Sequence, residues 1–427
     1  MNTVTRRGFV GAAAVGASTL ANFSALAQSD GPLRVGVIGC GWFGNELIKN
    51  AHQVGGVQVI AVCDVDSEQS KKTMDNVERL SGSRPKAFKH YEELLDLSDL
   101  QAVFIATPPH WHALPFIAAC EKGLPIYCEK PLAYDLREGR AMVNAHKKAG
   151  NIVQMGFQRR QVAPFHVVKE RLQQGAPGKV VQVDANIHYK AGVQDTTPQD
   201  PPKTLDWDLW CGPAPKLPYS PAIGHFNWRL EKTTGHGHLV DWGIHYIDAT
   251  RMMLDLGMPK SIHAAGGLYQ LDGKITTPDT LCVHFEFDEC PVVWRHRLWG
   301  AAEYTPETNI GVTLFCENET IFVDDKKVVI VPNQRNAERQ TITPEQGSSG
   351  VAHMAEFLTS LKANKPAPCS PEVAYQSTGT VQLGMIAYET NNRVDWDAKS
   401  ENITNREAAQ ALLKREYRAP YKHPYTG

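Results

Sequence analysis

Residues Val35 to Gly44 read Val-Gly-Val-Ile-Gly-Cys-Gly-Trp-Phe-Gly, and no other stretch constrains the fold of this chain as strongly. A short apolar run leads into three glycines spaced G-x-G-x-x-G, and a helical pattern follows. Gly39 permits a tight turn, Gly41 lets the backbone approach a pyrophosphate, and Gly44 lets the helix pack close to the strand. The helix N-terminus then faces the phosphate charge. Trp42 and Phe43 fill the variable positions of the turn and border the same nucleotide. A second apolar run, Val57 to Cys63, ends at Asp64, twenty residues past Gly44. An acid there accepts the ribose hydroxyls of NAD and repels the 2′-phosphate of NADP, so NAD is the expected cofactor.

The pattern continues as alternating strands and helices to residue 156. Strands are expected at Leu33–Ile38, Val57–Cys63, Ala102–Ala106, Ile126–Cys128 and Ile152–Gly156, with helices such as 112–122 and 136–149 between them. Beyond Gly156 the texture changes to long alternating segments, including 180–189, 261–269, 281–287, 292–299 and 311–317. The fold class is therefore α/β: an N-terminal Rossmann doubly wound parallel sheet over 28–156. A C-terminal α+β domain over 157–427 follows, with a large, mostly antiparallel open sheet. The proline-rich stretch 191–228 is too long for an ordinary connection and reads as functional or as a subunit contact. Long apolar strands with few helices to cover them suggest a homo-oligomer built on this sheet, with Trp294 or Trp299 at the contact.

The N-terminus adds a location. Thr5-Arg6-Arg7-Gly8-Phe9 is a twin-arginine motif, a small-residue run follows, and Ala25-Leu26-Ala27 is an A-x-A cleavage site. Residues 1–27 are expected to be a signal read by the twin-arginine export machinery, giving a periplasmic or otherwise exported protein. That route suits a chain that folds around a tightly bound NAD before crossing. The formal charge of -2 becomes -4 once Arg6 and Arg7 are removed, which argues against nucleic acid as a partner. No run after the signal is long enough to span a membrane. The nine cysteines lack C-x-x-C or zinc spacing.

Three further segments carry chemistry. Thr107-Pro108-Pro109-His110-Trp111-His112 follows a strand at the end where Rossmann ligands bind. Glu129-Lys130-Pro131 ends the next strand, where a Lys-Pro bond is a candidate cis peptide. A lysine there can hydrogen-bond a substrate hydroxyl and stabilise its developing alkoxide. In His236-Gly237-His238-Leu239-Val240-Asp241-Trp242-Gly243-Ile244-His245, Asp241 and His245 are four apart on one helix face, where they can pair. An Asp beside a His fixes its tautomer and raises its basicity, which suits proton removal from an alcohol. His236, His238, Asp241 and His245 also carry donor types that bind zinc or manganese, but a glycine separates the first two, which precede the helix, and no metal is expected.

These motifs resemble the Gfo/Idh/MocA oxidoreductase family, which includes glucose-fructose oxidoreductase and inositol dehydrogenases. Leu205 to Pro213 and the tail segments Asp395-Trp396-Asp397 and Arg415 to Pro420 are similar to those of exported members. The resemblance implies that Lys130, Asp241 and His245 form the catalytic set. It implies that Thr107, His112 and Glu129, with Lys130, line the nucleotide, and that Arg159 and Arg160 border the cleft. His188, Trp228 and His238 are further substrate-binding candidates. The implied activity is hydride transfer between a secondary hydroxyl of a sugar, glycoside or polyol and a tightly bound nicotinamide cofactor. The alternative is a redox-neutral NAD-dependent glycosidase that oxidises a ring carbon transiently and eliminates the glycosidic bond. The segment Leu230 to His236 departs from exported relatives, so the resemblance does not carry the identity of the substrate.

Overall fold

The computed structural model describes residues 31–225, 227–301, 307 and 309–426. The twin-arginine segment and its cleavage site lie outside the described residues. The first sheet contains β1 (Leu33–Ile38), β2 (Val57–Cys63), β3 (Lys86–Phe88), β4 (Ala102–Ile105), β5 (Ile126–Glu129) and β6 (Val153–Gly156). Its order is β3-β2-β1-β4-β5-β6 and every pairing is parallel. A sheet covered on both faces needs strands that are apolar throughout, and β4, β5 and β6 are buried along their whole length. The crossovers hold α1 (Trp42–Val54), α2 (Ser67–Ser81), α3 (Ala113–Glu121) and α4 (Leu136–Ala149). Side chains of Asp66 and Asp135 cap α2 and α4 by accepting from the amides of Glu68 and Glu138. A Cβ on Gly44 would lie 2.0 Å from the Gly39 carbonyl oxygen, so only glycine lets α1 sit this close to β1.

The second sheet holds β7 (Val180–His188), β8 (Ser261–Gly267), β9 (Thr280–Glu286), β10 (Pro291–Arg297), β11 (Ile310–Cys316), β12 (Glu319–Val323), β13 (Val328–Pro332), β14 (Gln340–Ile342), β15 (Val394–Asp397) and β16 (Asn402–Ile403). The order is β14-β13-β12-β11-β7-β10-β9-β8-β15-β16, with β7 and β10 the one parallel pair. Alternation along the strands sends Val183, Ala185 and Ile187 of β7, and Val292 and Trp294 of β10, into the core. There they meet α5 (Ala163–Gln173), α6 (Ile244–Leu254) and, after α7 (Ser349–Ala363), α8 (Pro371–Thr390).

Two expectations about this sheet are corrected. Trp294 is 0% exposed and cannot stand at a subunit contact. It shares the inward register with Val292, donates to His296 Nδ1 at 3.1 Å, and packs where a Cβ on Gly243 would come within 3.2 Å. Trp299 is half-buried and donates to Thr280 Oγ1. The outer face is also more polar than expected, because the residues that alternate outward include Cys282, His284 and Glu286 of β9 and the Arg295–Asp184 ion pair. Packing also crosses between the two parts of the chain. Met354, Phe357 and Leu358 of α7 share a core with Val35, Leu47 and Ile48 of the first sheet and α1. Among the described residues no helix is long and apolar enough to cross a membrane.

Candidate active site

The carboxyl ends of β1, β2, β4 and β5 open into one cavity of about 1450 Å³, whose other wall comes from the second domain. That is larger than the roughly 300–1,000 Å³ of an ordinary small-ligand pocket and leaves room for a dinucleotide together with a substrate. Gly39 takes φ +96, and a Cβ there would lie 2.6 Å from the backbone of Ala106. A Cβ on Gly41 would meet nothing within 4 Å, because that position faces the open cavity. Trp42 and Phe43 line the same end, and Trp42 is 61% exposed. Asp64 ends β2 and accepts from the amides of Cys40 (2.7 Å) and Asp66 (2.9 Å), one on each carboxylate oxygen. Each oxygen keeps a lone pair for a ribose hydroxyl. Buried Thr107 Oγ1 and Glu129 Oε1, on cavity-lining residues, have no hydrogen-bond partner among the described residues. Turn, acid and unpartnered polar atoms together fit NAD.

The stretch 191–228 closes over this end. Asp66 and Leu205 form an isolated antiparallel bridge, Ser67 donates its amide to Thr204, and Asp206 donates to Val65. His225 Nε2 lies 3.0 Å from an Asp66 oxygen. The stacked pair Trp207–Trp210 packs near Val65, and Trp111 Nε1 donates to the Trp210 carbonyl. Gly192, Trp210 and His225 line the cavity from this strap.

At the other end, the Lys130–Pro131 bond is cis. Lys130 Nζ donates to Asp241 Oδ1 and to the Asp241 carbonyl, both at 2.8 Å. Arg229 Nε lies 3.2 Å from Asp241 Oδ2. Burial would raise the Asp241 carboxyl, but the two cations override it and hold it well below the usual carboxylate range. Burial, assisted by Arg159 and Lys130, pushes His245 well below its ordinary value, so it is a neutral imidazole. Its Nδ1 has no hydrogen-bond partner among the described residues. The expected Asp241–His245 pair is therefore corrected: both oxygens of Asp241 are claimed by cations, and it positions Lys130 rather than His245. Local backbone accompanies the change, since Leu239–Gly243 is a π-helical turn rather than the first turn of an α-helix.

The remaining candidates divide. Thr107, Glu129, Arg159, Trp228 and His238 line the cavity with Lys130, Asp241 and His245. Arg159 is anchored by Asp325 and lies over the ring of Trp242 at 4.9 Å. Arg160 is corrected to a structural residue: it forms a two-pronged ion pair with Asp248 of α6, at 2.7 Å in both arms, away from the cavity lining. His188 is likewise outside the lining, because Ile187 and Tyr189 face the cavity and alternation turns the residue between them away. His112 does not line the cavity either. Its ring sits between the carbonyls of Thr107 (2.7 Å) and Pro131 (2.8 Å) and ties the two ligand-bearing loops together. His236 stacks on Tyr134 instead of joining His238. Sequence reasoning missed Arg229 and Tyr189. Arg229 sits in a short turn, Asn227–Leu230, and no spacing rule links it to Asp241.

Glu129 is admitted by Gly156, where a Cβ would lie 2.3 Å from Oε1. Burial pushes its carboxyl up to about 8, against the opposing pull of Lys130. A raised folded-state value means the folded protein binds this proton more tightly than the unfolded chain. That contribution is complete below the unfolded value near 4.5 and is lost as pH rises toward about 8. Glu129→Gln should therefore flatten the decline in melting temperature over this window. Relative to wild type it should gain, at alkaline pH, on the order of 5 kcal/mol at most. Parallel melting curves for the two proteins across the window would show this account of Glu129 to be wrong.

Two profiles of one family match the chain. The oxidoreductase family, NAD-binding Rossmann fold, covers residues 33–157, and the oxidoreductase family, C-terminal alpha/beta domain, covers 168–293. Inositol 2-dehydrogenase 4 of Saccharopolyspora erythraea is 33% identical over 154 residues, which is 36% of this chain and 44% of that protein. The inositol 2-dehydrogenase of Salmonella typhimurium is 29% identical over 177 residues, 40% of this chain and 51% of its own. The chain thus spans about half the length of the curated relatives it matches. Among solved structures, levoglucosan dehydrogenase in complex with NADH and levoglucosan has a TM-score of 0.67 at 18% identity, covering 85% of this chain and 99% of its own. The aldose-aldose oxidoreductase of Caulobacter crescentus, complexed with glycerol, has a TM-score of 0.66 at 16% identity, covering 85% and 99%. Both share the fold. With a glycine turn, an acid at the end of β2 and a matching second domain in one chain, this protein belongs to the Gfo/Idh/MocA oxidoreductase family, and its N-terminal domain is an NAD-binding Rossmann domain.

Proposed function

We propose that this protein is an NAD-dependent oxidoreductase acting on a secondary hydroxyl of a sugar, glycoside or polyol. The observation that carries the reading is Lys130, fixed at 2.8 Å by Asp241, in the same cavity as neutral His245 and the glycine turn. The curated relatives that are inositol dehydrogenases, and the similar folds that hold levoglucosan or glycerol, agree with a polyhydroxy substrate. Bound nicotinamide supplies the hydride acceptor. The Lys130 ammonium donates to the substrate oxygen and stabilises negative charge on it. His245, uncharged and without an acidic partner, accepts the hydroxyl proton. Asp241 keeps Lys130 aimed, and the aromatic walls of Trp228 and Trp242 limit water.

The second reading, the redox-neutral glycosidase, is favoured by one feature. Tyr189 and His238 form a second hydrogen-bonded pair in the cavity. Burial holds His238 down to about 4 and raises the Tyr189 hydroxyl, so both are neutral. Elimination of a glycosidic bond needs a second proton-transfer group, and simple oxidation does not. Release of aglycone without net nucleotide reduction would select this reading.

The proposal includes export by the twin-arginine route, on the motif around Arg6 and Arg7, and retention of the nucleotide under the strap. It also includes a homo-oligomer on the outer face of the second sheet, near exposed Phe315 rather than Trp294. Denaturing the purified protein should release about one NAD per chain, with little NADP, and Asp64→Ala should relax that preference. Protein that arrives nucleotide-free and binds NAD weakly would refute retention.

A further inference from the structure

We propose that the C-terminal segment from Arg415 to Tyr421 is the latch that retains the nucleotide, with Arg418 fastening the strap and Tyr421 walling the adenosine end of the cavity. The inference deepens the retained-NAD reading and rests on it. Tyr421 lines the cavity, although it comes from the opposite end of the chain to the glycine turn. Its ring meets Trp111 edge-on, with centroids 5.3 Å apart, and Trp111 meets Tyr91 the same way at 6.2 Å. Lys89, Tyr91 and Trp111 line the cavity together with Asp64 and Val65. The Asp64 amide donates to the carbonyl of Phe88, the residue before Lys89. This aromatic cluster therefore stands beside the acid that takes the ribose, which is the adenosine end of a Rossmann site. Rings of this kind suit a planar purine base.

The strap is held from two directions. From the Rossmann side, Lys89 Nζ lies 2.5 Å from Asp206 Oδ2, next to the bridge between Asp66 and Leu205. The turn that follows, Asp208 to Pro213, is held by the tail. Arg418 donates through all three guanidinium nitrogens: Nε to the Gly212 carbonyl (3.0 Å), Nη1 to Asp208 Oδ1 (2.9 Å) and Nη2 to the Asp208 carbonyl (2.8 Å). Its amide donates to the Pro213 carbonyl. A planar fork can serve three acceptors at fixed angles, which a lysine ammonium on a flexible stem does less well. The same turn rests on Trp111, because a Cβ on Gly212 would lie 2.3 Å from the indole. Strap and tail thus close on one ring. The tail itself is moored to the Rossmann domain by Arg415, which donates to Glu138 Oε1 (2.7 Å) and to the His110 carbonyl (2.8 Å) and lies 4.1 Å from the centroid of Tyr134. Arg418 sits three residues beyond that mooring, so releasing it frees the strap turn to lift from the nucleotide.

The test follows loss of radiolabelled NAD from the loaded full-length protein during a chase with excess unlabelled NAD. Arg418→Gln and Tyr421→Ala should each speed release by about ten- to a hundredfold, the scale of losing charge-assisted hydrogen bonds or a ring contact. Arg418→Lys should recover part of the slow release, a graded response that a general loss of stability would not give. Far-ultraviolet circular dichroism is recorded in parallel. Release as slow as wild type in both Arg418→Gln and Tyr421→Ala would overturn the latch and leave retention intact. Release that quickens only in step with unfolding would also overturn it. Wild type that sheds its label within seconds would sink the retention reading, and the ratio of variant to wild-type rates would still decide the latch.

Discussion

Lys130→Ala should lower turnover by roughly two to four orders of magnitude while leaving the fold and the retained nucleotide in place. The side chain lines the cavity. It reaches from the end of β5 to Asp241 across the cavity, and its loss leaves the substrate oxygen without a charged donor. His245→Ala should fall in the same range, because among the described residues the other imidazole that feels Lys130 in the cavity, His238, has its Nε2 engaged by Tyr189. Rates from single-turnover reduction of the bound nucleotide separate a chemical defect from slow release. Near-normal turnover in either variant would remove that residue from the proton and charge account.

Asp241→Asn should damage stability as well as rate. In wild type one carboxylate neutralises two cations, Lys130 at 2.8 Å and Arg229 at 3.2 Å. An amide in its place leaves both charges largely buried, and removing one partner of a buried pair costs on the order of 3 kcal/mol. The pH dependence has a definite sign. The folded-state value of Asp241 lies below its unfolded value, so its contribution is complete above about 3.8 and is lost only as pH falls further. The gap in melting temperature between wild type and Asp241→Asn should be constant from mild acid to neutrality and close in strong acid. If the residue merely set the tautomer of His245, the variant would lose activity with little loss of stability.

Much of this architecture is legible in the sequence because its signals are local. The strands Leu33–Ile38 and Val57–Cys63 and the helix Leu136–Ala149 fall where the apolar runs and caps place them. Gly39, Gly41 and Gly44 do their work within one turn, so spacing alone reads them. The failures are all non-local. Arg160 and Arg159 are adjacent, and only the packing of α6 decides that one meets Asp248 and the other faces the cavity. Trp294 is apolar and on a long strand, but which face of that strand is covered depends on helices far away in the chain. Spacing places Asp241 and His245 on one face of a helix, but it says nothing of Arg229, which arrives from the preceding turn and takes the second oxygen. The strap over the nucleotide end is readable only as an irregular stretch, because its contacts with Val65 and Asp66 are long-range.

The central claim is that one cavity joins a retained NAD to a polyhydroxy substrate through Lys130 and His245. The most direct measurement adds sugars, sugar acids, glycosides and polyols singly to the purified protein, with no nucleotide supplied, and follows the near-ultraviolet absorbance of reduced nicotinamide. The account predicts that at least one compound raises this absorbance to no more than one equivalent per chain, and that a second carbonyl compound returns it to baseline. A cavity that binds NAD but stays oxidised with every member of the panel, with no aglycone released, would contradict it.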